Sequence, residues 1–333
     1  MSSSANAKSS DKQGVWAWTV RNWPLIKKIL MWIFVGCVVV FLIMLAREVK
    51  WDEVVKAIHD TKWSVLGLAS ACALLSYMLY SAYDLVGKWY TRHELSNWKV
   101  LSVCAISYAF NLSLGSFIGG VGFRYRLYSK LGLKNGVITR ILGLSLATNW
   151  IGYCLLAGAI FASGLLQAPK GWEIGTGALR LIGAAMVLAG VAYIAMCGLS
   201  KRKKWTIKGH DIELPSFRIA VVQNALAIAS WASIGCIIWI LLEERADYWL
   251  VLGVFLLSGM AGALAHVPGG IGVIEAVFVA FLSPKIPSSQ LIGALVVYRA
   301  IYYLAPLLIA TLGYVALEAS HRRANASVKA AEA

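Results

Sequence analysis

Gly119-Gly120-Val121-Gly122 and Gly269-Gly270-Ile271-Gly272 are near-copies of one motif, set 150 residues apart, and each interrupts a hydrophobic run. Paired glycines continue a helix poorly, and the second pair follows Pro268, so each run is expected to break where apolar chain would otherwise stay helical. Broken segments at corresponding places in two halves of a membrane protein point to an inverted repeat with a substrate site between its copies.

Composition makes the membrane setting necessary. Of 333 residues, 59% are hydrophobic and 14% charged, more apolar surface than a soluble fold can hide. A spanning helix needs about 20 apolar residues, and charge-free stretches of that order occur at 29–46, 63–83, 141–169, 181–200 and 219–242. The formal charge of +15 reads as loop lysines and arginines that set orientation and meet anionic headgroups, so no nucleic-acid partner is expected. The densest basic run, Lys201-Arg202-Lys203-Lys204, fits a cytoplasmic loop. All six cysteines sit inside hydrophobic stretches without CxxC spacing, so neither a disulfide framework nor a metal or cofactor site is expected.

Charge and parity then assign topology. Lys8, Lys12, Arg21, Lys27 and Lys28 place the amino terminus inside. Were the run 100–123 to cross, Arg124, Arg126, Lys130, Lys134, Arg140, Lys201, Arg202, Lys203, Lys204, Lys208 and Arg218 would all lie outside, against the positive-inside rule. A re-entrant segment that enters from the cytoplasm, breaks over residues 116–122 and returns removes the conflict, with Ser107, Asn111, Ser113 and Ser116 expected to satisfy freed backbone groups. The acidic turn 243–247 falls outside, and His321-Arg322-Arg323 inside. The stretch 249–285 is then a second re-entrant hairpin, entering from the opposite face.

The expected fold is therefore an all-α polytopic membrane protein of about six spanning helices and two opposed re-entrant hairpins in an inverted repeat. Residues 1–24 form a disordered cytoplasmic arm, 25–320 a single membrane domain (repeats 63–166 and 219–317), and 321–333 a cytoplasmic tail.

Ionisable residues at membrane depth are site candidates because hydrocarbon does not tolerate them unpaired. Arg299 interrupts the last hydrophobic helix; it either faces a cavity or counter-charge, or snorkels to the surface. Glu275, three residues beyond Gly272, either caps the returning half-helix or pairs with Arg299. Arg124 and Arg126 follow the first glycine motif, as a fork for a lipid phosphate or as interfacial anchors. Asp84 closes the face of Tyr77, Tyr80 and Tyr83, a polar cavity wall or an interfacial belt. Asn111, Asn149, Gln223, Asn224 and His266 are read as interhelical hydrogen-bonding groups.

The segments Gly119-Gly120-Val121-Gly122-Phe123-Arg124 and Pro268-Gly269-Gly270-Ile271-Gly272-Val273-Ile274-Glu275, with Arg299 following, resemble the membrane domain of lysylphosphatidylglycerol synthases. Tyr108-Ala109-Phe110-Asn111-Leu112, Arg124-Tyr125-Arg126-Leu127-Tyr128 and Thr148-Asn149-Trp150 extend the resemblance to the stand-alone YbhN-type inner-membrane proteins of Gram-negative bacteria. That resemblance implies movement of an anionic or modified phospholipid between leaflets of a bacterial inner membrane. The implied site residues are Pro268, Gly269, Gly270, Glu275, Gly120 and Arg124. With Ala333 as the last residue and no soluble aminoacyltransferase region, the chain is expected not to synthesise the lipid.

The expected function is therefore phospholipid translocation without enzymatic activity, at a site of Arg299, Glu275, Arg124, Arg126, Asp84, Gly119, Gly120, Gly122, Pro268, Gly269, Gly270 and Gly272. Two alternatives stand beside it: a scaffold or accessory subunit for a lipid-handling enzyme, and an integral-membrane enzyme acting on lipid headgroups. Scattered histidines and the lack of a nucleophile-base motif weigh against the enzyme.

Overall fold

The computed structural model of the chain describes residues 51–169, 175–200, 204–207, 210–265 and 268–315. The expected span 29–46, the amino-terminal arm, the carboxy-terminal tail, His266 and most of the basic run 201–204 lie outside the described residues.

The described chain is helical apart from one short hairpin. In order it forms α1 (Trp51–Asp60), α2 (Trp63–Thr91), α3 (Asn97–Leu114), a π-helical segment (Ser116–Gly122), α4 (Phe123–Lys130), α5 (Asn135–Ser163) and α6 (Thr176–Leu199). There follow β1 (Lys204–Ile207), β2 (His210–Glu213), α7 (Phe217–Leu241), α8 (Tyr248–Ala265), a 3-10 turn (Pro268–Gly270), α9 (Val273–Leu282) and α10 (Ser288–Arg299). The last helix passes through a π segment, Ala300–Leu304, and runs on to Val315. β1 and β2 pair antiparallel, with Lys204 opposite Glu213.

Six described helices are long and apolar enough to cross a membrane: α2, α5, α6, α7, α8 and the continuous helix Ser288–Val315. Five coincide with spans read from the sequence. The sixth, α8, is the first arm of the second broken segment. The amphipathic α1 and the β-hairpin had no counterpart among the sequence expectations.

Element boundaries recur with the spacing of the glycine motifs. Adding 150 to α2, α3, α4 and α5 gives 213–241, 247–264, 273–280 and 285–313, close to α7, α8, α9 and the last helix. Neighbour relations recur as well. α2 packs on α3 and α5 as α7 packs on α8 and α10, while α4 bridges α3 and α5 as α9 bridges α8 and α10. α2 and α7, the equivalent members, lie against each other at the centre.

Close helix crossings are made by small residues. At Gly152 an added Cβ would stand 2.1 Å from the Ala227 Cβ, which draws α5 against α7, and one at Gly183 would stand 2.7 Å from the Gly158 carbonyl, which draws α6 onto α5. Lipid tails are as apolar as the helix surface, so close backbone approach of this kind, rather than expulsion from water, holds the helices together.

Two ends of the molecule can be told apart by contacts. Lys62 Nζ lies 3.0 Å from Glu243 Oε2 and Arg245 hydrogen-bonds Gln290, so the α1–α2, α7–α8 and α9–α10 junctions share one end. Leu95, Leu131, Leu133, Val137 and Tyr314 gather around one cluster at the other.

The two glycine motifs differ in conformation. The second is a true break, with Gly269, Gly270 and Gly272 at φ of +64°, +60° and +80°, a region that costs glycine little and other residues much. In the first, the irregular residue is Gly115 (φ +80°, ψ 168°), and Ser116–Gly122 continue as π-helix into α4, with Gly122 at an ordinary φ of −61°. Gly119 and Gly120 are needed for proximity instead. A Cβ on Gly119 would fall 2.2 Å from the Phe110 carbonyl oxygen, and one on Gly120 2.8 Å from Asn111 Oδ1.

The freed backbone groups near this break are met by backbone: Gly115 N–H donates to the Asn111 carbonyl (3.0 Å) and Gly119 N–H to that of Gly115 (2.9 Å). The serines assigned that task by sequence do not perform it in the same way; Ser107 Oγ has no hydrogen-bond partner among the described residues.

Gly119→Ala should therefore lower the detergent-solubilised unfolding midpoint by several degrees, a loss of about 1–3 kcal/mol. Gly67→Ala on the exposed face of α2, where the added Cβ meets nothing within 4 Å, should leave it unchanged or raise it by up to about 1 kcal/mol. Equal effects of the two would refute the close-approach account.

Candidate functional site: two ion pairs at the helix breaks

Arg299 closes the second break like a hook. Its Nε donates to Glu275 Oε1 at 2.8 Å and its Nη2 to Oε2 at 3.1 Å, a bidentate pairing, while Nη1 and Nη2 reach the carbonyls of Gly269 (3.1 Å) and Gly270 (3.3 Å). Glu275 Oε2 also accepts the Gly272 N–H at 2.9 Å, so the carboxylate caps α9 and binds the arginine at once. Both readings of Glu275 are thus realised together. Arg299 does not snorkel: its side chain is 18% exposed and that of Glu275 24%, and its guanidinium lies over the Tyr303 ring at 5.8 Å. Charge-assisted, forked hydrogen bonds of this type are the strong ones.

A second pair sits beside the first break and is closed off. Asp84, from α2, is fully buried, and Arg124, in the first turn of α4, is 2% exposed. Arg124 Nε lies 3.3 Å from Asp84 Oδ2, which also accepts the Tyr128 hydroxyl at 2.8 Å. Arg124 Nη2 donates to Cys104 Sγ at 2.9 Å, and the guanidinium lies 5.5 Å from the centre of the Tyr80 ring. Asp84 Oδ1 has no hydrogen-bond partner among the described residues. Arg124 and Arg126 do not share a ligand position, because Arg126 turns to the Tyr314 ring at 5.4 Å.

Between the pairs lies a band of tyrosines. Tyr302 OH is 2.8 Å from Ser76 Oγ and 2.9 Å from Tyr108 OH, and Tyr77 OH donates to the Tyr302 carbonyl at 3.2 Å. That carbonyl belongs to the π segment of the last helix, where the regular backbone pattern is interrupted. Tyr108 stacks on Tyr80 with ring centroids 3.6 Å apart, and Tyr302 stacks on Tyr298 at 5.6 Å. The face of Tyr77, Tyr80, Tyr83 and Asp84 therefore lines a polar interior and is not an interfacial belt. Tyr108 lies in a segment singled out by resemblance, but sequence reasoning assigned no role to it or to Ser76, Cys104, Tyr128, Tyr298 and Tyr302. The recurrence of tyrosine around Arg299 was the available signal.

The breaks themselves come together. A Cβ on Gly269 would lie 3.5 Å from the carbonyl of Leu112, near the end of α3, and 3.9 Å from Arg299 Nη1. Gly119 and Gly120 are buried, whereas Gly272 is exposed and Ile271 is 52% exposed beside it. The Arg299 side of the assembly is thus open at the surface, and the Arg124 side is sealed. Of the other polar residues, Gln223 donates to Thr148 and to the Leu144 carbonyl (3.3 Å) across helices, but Asn224 bonds the Ala220 carbonyl of its own helix.

Removing one partner of a buried pair strands the other charge, at about 3–5 kcal/mol, whereas removing both costs much less. Asp84→Asn and Arg124→Gln should each depress thermal stability strongly, and the double variant should fall well short of their sum. Strict additivity in a double-mutant cycle would show that the two groups do not interact.

The sequence matches the family described as the lysylphosphatidylglycerol synthase TM region over residues 29–310. It is 43% identical over 311 residues to the inner membrane protein YbhN of Escherichia coli, covering 93% of this chain and 98% of that one. An uncharacterized protein of Synechocystis is 29% identical over 277 residues, covering 82% and 86%. A phosphatidylglycerol lysyltransferase of Bacillus subtilis is 24% identical over 308 residues, which are 86% of this chain but 34% of that protein. An all-helical membrane architecture, a match along most of the chain and a relative of nearly the same length agree: this is an inner-membrane, multi-pass protein linked to lipid handling, and it belongs to the family of the lysylphosphatidylglycerol synthase transmembrane region.

Proposed function

We propose that the protein translocates an anionic or modified phospholipid between leaflets, its headgroup passing the Arg299–Glu275 pair while the acyl chains stay in the bilayer. The observation that carries this reading is the pair's position. A guanidinium and a carboxylate that would be costly in hydrocarbon meet at a helix break, partly exposed, about 16 Å along the last helix from its start. A headgroup phosphate offers Arg299 the same forked geometry that Glu275 supplies in its absence.

The two helix–break–helix units act in this reading as re-entrant hairpins of an inverted repeat. Support comes from the 150-residue recurrence of elements and from the repeated neighbour pattern. The end bearing Lys88, Arg92, Lys99, Lys130, Lys134 and Arg140 is taken as cytoplasmic by the positive-inside rule, and the end bearing Asp60, Glu243, Glu244 and Asp247 as external, with both termini inside. Repeat rocking about the α2–α7 contact would expose the breaks to each side in turn. The phosphatidylglycerol lysyltransferases are about three times the length of the segment they share with this chain, and this reading assigns the chain transport alone, with no chemistry on the lipid.

Purified protein in vesicles should accelerate dithionite-accessible flip of fluorescent phospholipids, and Arg299→Gln should slow it at least tenfold while leaving the protein folded. Folded wild-type protein without flip activity, or an unimpaired Arg299→Gln, overturns the proposal. Single cysteines at Leu133 and Ser288 should be labelled by impermeant thiol reagents from the cytoplasmic and external side respectively.

A further inference from the structure

Away from both ion pairs, the described residues enclose a cavity of about 660 Å³ between α1, the end of α7 and the start of α10. Its size falls in the range of about 300–1,000 Å³ that small-molecule sites occupy. The walls are of two kinds. Leu241, Ile286, Ile292 and Val296 make an apolar side, and Glu53, Lys56, Asp60 and Arg245 stand on the other. Glu243, also in the lining, is neutralised by Lys62 at 3.0 Å, so the remaining ionisable wall holds two cations and two carboxylates.

The cavity is continuous with the Arg299 pair along one helix face. Ile292, Gly293 and Val296 line it, and Val296 stands three residues, about 4.5 Å, before Arg299. Residues 292, 296 and 299 are spaced as one face of a helix, and all three keep partial exposure while Leu291, Leu295 and Tyr298 are buried. Gly293 keeps this face low: a Cβ there would meet nothing within 4 Å.

We propose that this cavity is the vestibule through which a phospholipid reaches or leaves Arg299, and that it takes a zwitterionic headgroup. Lys56 and Arg245 receive the phosphate, and Glu53 and Asp60 face an ammonium. Arg245 already donates to Gln290 and keeps further N–H donors for a second acceptor. A headgroup with phosphate alone leaves the two carboxylates unmatched. The assignment rests on the translocation reading for its purpose but not for its detection.

The test uses full-length protein in phosphatidylglycerol vesicles doped with a phospholipid carrying a diazirine on the acyl chain next to the glycerol, in ethanolamine and glycerol headgroup versions. Photolysis followed by peptide mass spectrometry should place adducts on 53–61 and 286–296, several-fold more with the ethanolamine lipid. Gly293→Phe, which fills the space, should reduce these adducts at least fivefold. Gly293→Ala should not, and K56E/R245E should reduce them without any change in packing. Adducts elsewhere, or adducts insensitive to both variants, overturn the vestibule; equal labelling by the two lipids overturns the headgroup class. Arg299→Gln should stop flip and keep the adducts. Labelled protein that does not flip any lipid would defeat the translocation reading alone, and flip without adducts at the cavity would defeat the vestibule alone.

Discussion

The guanidinium of Arg299 is the interaction on which the second half of the structure depends. A helix can be broken in an apolar setting only if the liberated carbonyls and N–H groups find partners, since each orphan costs several kcal/mol there. Arg299 answers two carbonyls of the Pro268–Gly270 turn and one carboxylate with a single planar group. Glu275 in turn takes an N–H of the turn. Break, charge and counter-charge stabilise one another, so that none is tolerable without the rest.

The first half meets the same constraint differently. Its glycines let the chain lie directly on α3, its backbone bonds continue in π-helical form, and its charges are withdrawn into a sealed pair with a thiol and tyrosine hydroxyl as further partners. Equivalent elements thus carry an open ion pair in one copy and a closed one in the other. The tyrosine band joins them through hydroxyl contacts and ring stacking.

Much of this was legible beforehand where the physics is local or forbidding. Spans announce themselves by length and apolar content, and the elements on either side of each glycine motif followed from charge bookkeeping. Arg299 and Glu275 stood out because a charge in an apolar run needs a reason. Asp84 and Arg124 also stood out singly, yet their pairing did not, because 40 residues and a helix break separate them and nothing local ties one to the other. Tyr108, Tyr298 and Tyr302 read as ordinary amphipathic aromatics until three helices converge on them. The ten-residue α1 and the four-residue strands escaped because they are too short and polar for a periodic signal to rise above loop composition.

The sequence by itself determined that the chain is a membrane helix assembly with two interrupted segments 150 residues apart, because apolar length and glycine-proline chemistry act on the backbone directly. Tertiary structure alone decided what each glycine is for. At 269, 270 and 272 it is left-handed backbone, and at 119 and 120 it is room for a neighbouring strand of backbone. The same letters serve two purposes because a glycine's conformational freedom is a local property, whereas the absence of its side chain matters only when another part of the fold arrives beside it.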